Sequence, residues 1–216
     1  MIKLKEGGHI FLAIIVLLFT FNYLQFISRT PDYASIFLSL IGIVLVAFTS
    51  IVAKKITAYY YEITIEHKSW NFQRFGLRRD AYLKTPIPIG IILAFIIPII
   101  SFGKLIWMAV LEFDAEGTSA RASKRHGLFS FTEITDIHLG LIAASGVIAC
   151  LALSILAYLV NFPEIARVGI YYAAFSLIPF SNLDGTKIFF ASKRALLWII
   201  LASITAIFLS YSFLLI

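Results

Sequence analysis

Residues 168–190 read VGIYYAAFSLIPFSNLDGTKIFF, an apolar run that holds one carboxylate, Asp184, between Pro179 and Gly185. The run is long enough to cross a hydrocarbon core of about 30 Å. Proline and glycine interrupt helical hydrogen bonding, and irregular backbone inside a bilayer requires surrounding protein. A carboxylate in a span is costly and indicates function. The alternative is an aspartate at the cytoplasmic end of the span, beside Lys187.

The rest of the chain is equally apolar. Of its 216 residues, 60% are hydrophobic and 14% charged, and the mean hydropathy is +0.92. Soluble domains are about half apolar and about a quarter charged, so the composition excludes an ordinary soluble domain. The net charge of +6 fits basic loops on the cytoplasmic side of a membrane better than a nucleic-acid surface. The candidate membrane segments are the six apolar runs 9–27, 33–53, 86–112, 137–161, 168–190 and 195–215.

The run 86–112 decides the topology. It contains three prolines and the turn-forming stretch 101–103. Apart from Lys104, the basic residues divide ten to seven between the two sides if all six runs cross, and fifteen to two if this run enters and leaves on the same side. The second division obeys the positive-inside rule. We therefore expect five spans, a re-entrant hairpin at 86–112 and a cytoplasmic N-terminus, with a simple kinked span as the alternative for the hairpin.

One polar stretch shows the alternation of β-strands. Residues 59–66 and 70–75 are rich in aromatic and β-branched side chains, and Gly76 follows them. This pattern predicts a short interfacial β-hairpin over about 59–76, with a turn near His67–Ser69. The sequence thus indicates one membrane domain over 1–216, an all-α polytopic protein with a small β-hairpin.

The segment Leu177–Lys187 (LIPFSNLDGTK) resembles the carboxyl-terminal motif of the site-2 protease family, the intramembrane zinc metalloproteases. Family members carry Asn-x-x-Pro-x-x-x-Leu-Asp-Gly there, and its aspartate is the third zinc ligand. Val52–Lys55 (VAKK) resembles the segment after the family's HExxH helix, and Ala144–Gly146 a small-residue motif. The aromatic strands and the extra hairpin resemble archaeal members. The resemblance covers about residues 35–195; its matched motif positions are Pro179, Leu183, Asp184 and Gly185.

The chain departs from the family at the catalytic positions. HExxH places two histidines on one helical face to bind zinc, with the glutamate as general base. The resemblance puts Leu45 and Thr49 at the histidine positions, Val46 at the base and Ser176 at the motif asparagine. A catalytic zinc needs three protein ligands, and only Asp184 remains. We therefore expect no zinc and no other cofactor.

Other histidines and acids offer no replacement site. None of His9, His67, His126 and His138 has a histidine four residues away. Glu133 and Asp136, with His138 and the nearby His126, match no metal-ligand spacing. We interpret them as a solvated loop and the start of a helix.

The resemblance implies a catalytically inactive, multi-pass cell-membrane protein that binds transmembrane segments or a partner membrane protein within the lipid bilayer. One alternative is an active intramembrane metalloprotease with non-standard zinc ligands. Another is a small transporter or membrane scaffold, with Asp184 and Lys104 lining a polar path. Without a metal, we expect Asp184 to be paired with backbone N–H groups freed at the helix break, with the hydroxyls of Thr49 and Ser50, or with Lys104. An asparagine would keep most of these hydrogen bonds, so Asp184→Asn is expected to be mild and Asp184→Leu to cost about 1–3 kcal/mol.

Overall fold

The computed structural model describes residues 4–28, 30–74, 82–118, 134–191 and 195–214. Within these ranges the fold is mostly helical, as predicted, with a small amount of antiparallel sheet. The helices are α1 (Leu4–Phe21), α2 (Tyr23–Ile27), α3 (Tyr33–Tyr60), α4 (Ile89–Ile100), α5 (Asp136–Leu159), α6 (Pro163–Ser176), α7 (Asp184–Ala191) and α8 (Leu196–Leu214). The strands are β1 (Ile63–Ser69), β2 (Phe72–Arg74), β3 (Tyr82–Ile87) and β4 (Leu111–Gly117).

Three helices, α1, α3 and α5, are long and apolar enough to cross a membrane. Helix α3 is the longest at 28 residues, which corresponds to about 42 Å. It continues past the apolar run 33–53 because Lys54 and Lys55 find carboxylate partners inside the protein. Helix α4, with 12 residues, and the stretch Leu196–Tyr211 of α8 are shorter apolar helical segments.

Helix α5 is the centre of the bundle and packs against α3, α6 and α7. Its inner face combines small residues with aliphatic ones, and Ala143, Val147 and Cys150 are almost completely buried. Small side chains let helix backbones approach closely, which is how apolar helices associate without a hydrophobic driving force in lipid.

The sheet differs from the predicted hairpin. Strand β1 runs straight through His67–Ser69, where a turn was expected, and pairs antiparallel with β4, so that His67 lies opposite Phe113. Strand β2 pairs with β3. Tyr59 and Tyr60 end helix α3 rather than starting a strand. Local alternation identified strand-forming residues, but the partner of β1 lies more than 40 residues away and leaves no local signal.

The two ends of the segment 86–112 lie close together. Gly90 donates a backbone hydrogen bond to the Trp70 carbonyl (3.2 Å), and Trp70 N–H donates to the Val110 carbonyl (2.7 Å). Only the outgoing arm is a helix, α4; the returning arm leads into β4. At the tip Gly103 has φ +77°, and a Cβ there would lie 2.5 Å from Leu24, just past the end of α1.

The contacts define two ends of the bundle. The sheet end holds Glu6 of α1, the last turns of α3, β1, β4 and Lys187 of α7, all joined by polar contacts. The distal end holds the hairpin tip and the turn at 160–162 between α5 and α6. There the hydroxyls of Tyr158 and Tyr211 lie 3.4 Å apart and connect α5 to α8.

Candidate functional site

Asp184 lies where the predicted break in run 168–190 occurs. Helix α6 ends at Ser176, the chain continues without helix over 177–183, and α7 begins at Asp184. A Cβ at residue 185 would lie 2.2 Å from the Leu177 carbonyl oxygen, so only glycine allows the chain to fold back this tightly. The interruption places the Asp184 carboxyl group in the interior, with 3% of the residue exposed.

The partner of Asp184 is Lys54, near the end of α3. The Lys54 ammonium donates a hydrogen bond to Asp184 Oδ2, and both side chains are only 4% exposed. Gly146 of α5 makes room for the lysine, because a Cβ there would lie 2.4 Å from Lys54 Cε. Residues from α3, α5 and α7 therefore build one buried ion pair where these three helices meet.

A second lysine lies close to this pair. Lys187, one turn after Asp184, donates a hydrogen bond to the Phe113 carbonyl, and its ammonium lies 3.4 Å from the Phe113 ring centroid. The Lys54 ammonium lies 5.5 Å from the same centroid. The face of an aromatic ring attracts cations. Phe113 of β4 thus stabilises the buried Lys54 and the half-buried Lys187, and connects the sheet to the ion pair.

A separate polar cluster joins α1 to β1 and α3. Glu6 Oε1 accepts hydrogen bonds from the His67 backbone N–H (3.2 Å) and from His67 Nδ1 (3.1 Å). Lys55 Nζ lies 2.8 Å from the same carboxylate. Burial, with the positive charge of Lys54, lowers the pKa of His67 to about 4 despite the nearby carboxylates. The imidazole is therefore neutral at pH 7, with its Nδ1 proton assigned by the bond to Glu6.

Some buried polar atoms have no hydrogen-bond partner among the described residues. They are Asp184 Oδ1, Thr186 Oγ1, His67 Nε2, Glu112 Oε2 and Trp70 Nε1. Asp184 therefore relies on one hydrogen bond and on charge, which makes its stability depend strongly on Lys54. Unsatisfied buried groups are uncommon in native proteins and concentrate at sites with a role beyond folding.

The predicted site residues of α3 are divided between different faces of the helix. Leu45 is 41% exposed and Thr49 is half-buried, whereas Val46 is 1% exposed. Val46, Ser50 and Lys54 follow one another at intervals of four, and all three are buried. That spacing puts them on one helical face, and it is the sequence signal that identifies Lys54 as an inward-facing residue.

The residues of the carboxyl-terminal motif also differ in burial. Leu183, Asp184 and Gly185 are buried, Ser176 is half-buried at the end of α6, and Pro179 is exposed. Lys104, one expected partner of Asp184, is exposed near the hairpin tip at the distal end. The expected hydroxyl donors, Thr49 and Ser50, leave Asp184 Oδ1 without a partner. The cation that forms an ion pair with Asp184 is therefore on α3, not on the hairpin.

The donor atoms around Asp184 do not fit a catalytic zinc ion. Across the described ranges, no group of three or more His, Cys, Asp or Glu side chains is arranged to hold a metal. His9 is hydrogen-bonded to Ser69 (3.1 Å) and His138 to Thr135 (2.6 Å), each away from the carboxylate. His126 and Glu133 lie outside the described residues. A protonated lysine has no lone pair to offer a metal.

No protein-family model, no curated protein and no solved structure matches the chain.

Proposed function

We propose that the chain is a catalytically inactive membrane protein of site-2 protease type, which binds transmembrane segments or a partner membrane protein. The observation that supports this most strongly is the buried Lys54–Asp184 pair. In the family that the sequence resembles, the aspartate is a zinc ligand. Here a tethered ammonium supplies the positive charge, but it has no open coordination position and cannot lower the pKa of a bound water.

The proposed arrangement in the cell membrane has five crossings, α1, α3, α5, α6 with α7, and α8. The hairpin 86–112 is re-entrant in this proposal, and the N-terminus is cytoplasmic. Two observations support it. Gly90 and Val110 both bond to Trp70, so the hairpin returns to its starting point. The sheet end also collects Lys54, Lys55 and Lys187, as the positive-inside rule requires of a cytoplasmic end.

The edge of β1 opposite β4, which pairs with no other strand among the described residues, is the proposed contact for a partner. The His67 N–H donates to Glu6 and not to β4. Because hydrogen-bonding direction alternates along an antiparallel strand, the backbone groups of Ile63 and Ile65 also face away from β4. A groove of about 600 Å³ runs beside this edge, and exposed Tyr59 and Tyr60 form part of its wall. An extended segment next to a partner's membrane span can add here as a further strand.

Metal content and proteolysis test the central claim. The purified protein is expected to contain no stoichiometric zinc and to cleave no membrane peptide. One zinc per chain together with chelator-sensitive cleavage would refute the proposal and support an active metalloprotease with non-standard ligands. Solute flux into liposomes that disappears in Asp184→Asn would instead support a transporter.

Site-specific photocrosslinking tests the partner contact. A crosslinker at Tyr59, in the groove, is expected to give a discrete adduct with another membrane protein. The matched control is Phe48, which is 62% exposed on the same helix but outside the groove. Equal adducts at both positions would show random collision in the membrane rather than binding at the strand edge.

A further inference from the structure

A second cavity lies at the distal end, far from Asp184. It has a volume of about 340 Å³ and lies between α5, α6 and α8. Ile155, Ile170 and Phe208 are among the apolar side chains that line it. Ligand sites in proteins have volumes from about 300 Å³ upward and combine apolar walls with a few polar groups. The cavity has the size and the walls of a site for a hydrocarbon chain.

The polar groups that line this cavity lie near the end of helix α5. Helix α5 ends at Leu159, and Tyr158 and Tyr211 bring their hydroxyl groups to within 3.4 Å of each other there. Tyrosines concentrate at the headgroup level of membranes. Arg167 also lines the cavity, and its side chain is 31% exposed. A hydrocarbon chain in the cavity would therefore have its polar head beside Arg167.

Among the described residues, the guanidinium group of Arg167 has Glu164 as its ion-pair partner, which leaves donors available for a ligand. The Glu164 carboxylate lies 3.8 Å from Arg167 Nη1, a distance that makes an ion pair but is too long for a hydrogen bond. Arginine binds phosphate oxygens through two parallel N–H donors, a geometry that a single distant carboxylate does not satisfy. A half-buried cation whose donors are not hydrogen-bonded within the described part of the chain, at the mouth of an apolar cavity, is complementary to a phosphate attached to an acyl chain.

We propose that this cavity binds a phospholipid of the bilayer, with one acyl chain between α5, α6 and α8 and its phosphate on Arg167. The proposal is independent of whether the chain is a pseudoprotease, because it uses none of the residues around Asp184. The Glu164 carboxylate repels an anionic headgroup and therefore weakens its binding. Removing the charge of Arg167 should lower the affinity for the phospholipid, and removing the charge of Glu164 should raise it.

The test measures binding of the first lipid by native mass spectrometry in detergent, with dioleoyl phosphatidylglycerol and, as a lipid without phosphate, dioleoylglycerol. Arg167→Gln is expected to weaken phosphatidylglycerol binding about tenfold, since charge-assisted hydrogen bonds are lost. Glu164→Gln is expected to strengthen it severalfold, and neither change affects dioleoylglycerol. Ile155→Trp, at a residue 43% exposed on the cavity wall, fills the cavity and is expected to weaken both lipids.

Lys104→Gln is the matched control, because Lys104 is an exposed basic residue at the same end of the bundle. Unchanged binding in this variant supports a specific site. Three results would overturn the proposal: normal phosphatidylglycerol binding in Arg167→Gln, an equal loss in Lys104→Gln, or equal affinity of the wild-type protein for the two lipids. If Arg167→Gln does not fold, as judged by thermal unfolding, the gain in Glu164→Gln and the loss in Ile155→Trp decide.

Discussion

Removing one member of the Lys54–Asp184 pair is expected to destabilise the protein more than any exposed charge substitution. Lys54→Met keeps the length of the side chain but removes the cation that is hydrogen-bonded to the buried Asp184 carboxylate. Both side chains are 4% exposed, and Asp184 Oδ1 has no other hydrogen-bond partner among the described residues. Breaking a buried ion pair on one side costs about 3–5 kcal/mol. We expect a loss of free energy of unfolding in that range.

The aspartate variants follow from the same contact. Asp184→Asn leaves the Lys54 ammonium without a counter-charge, so we expect a cost close to that of Asp184→Leu. This differs from the mild effect expected from the sequence, which assumed hydroxyl donors. The double variant Lys54→Met with Asp184→Leu removes both charges, and apolar replacements of buried pairs are often neutral or stabilising. The double variant should therefore be more stable than either single variant.

The assay is equilibrium unfolding in detergent, analysed as a double-mutant cycle. A coupling energy above about 2 kcal/mol is expected for a buried contact pair. The matched control is Asp114→Asn, at the 57% exposed partner of Lys68, which leaves Lys68 paired with Glu112; an exposed pair contributes about 1 kcal/mol or less. Single-variant losses below about 1 kcal/mol, or additive effects of the two substitutions, would refute the claim that the pair is buried and coupled.

Three further outcomes are expected. Gly146→Ala should destabilise the protein by about 1–3 kcal/mol, measured by denaturant unfolding, because its Cβ would lie 2.4 Å from the stem of the buried lysine; Gly8→Ala, with nothing within 4 Å, is the control and should not. The pKa of His67 is about 4 in the folded protein against 6.5 when unfolded, so the unfolded state binds more protons between these values. Stability should therefore fall by up to about 3 kcal/mol as pH drops from 6.5 to 4, and His67→Gln should remove that pH dependence. Single cysteines at Tyr59 and at Asn161, at opposite ends of the bundle, should react with an impermeant reagent from opposite sides of the membrane; labelling from one side would contradict the proposed topology.

The sequence alone determined the features that depend on near neighbours in the chain. Apolar runs predicted a mostly helical protein with membrane-spanning helices, because burying backbone in lipid demands helices of a minimum length. Pro179 and Gly185 predicted the break before α7, since both act on the backbone where they stand. The alternation in 59–76 indicated strand-forming residues, although not their partner.

The tertiary structure decided which distant residues meet. Lys54 and Asp184 are separated by 130 positions, and no local pattern specifies their contact. The sequence favoured backbone N–H groups at the helix break, Thr49 and Ser50, or Lys104 as partners of Asp184, because it carries no information on the rotation of α3 or on the depth of each side chain. The pairing of β1 with β4 was missed for the same reason. Contacts between distant segments depend on how whole helices and strands pack. That packing, and not any local pattern, makes Lys54 the partner of Asp184.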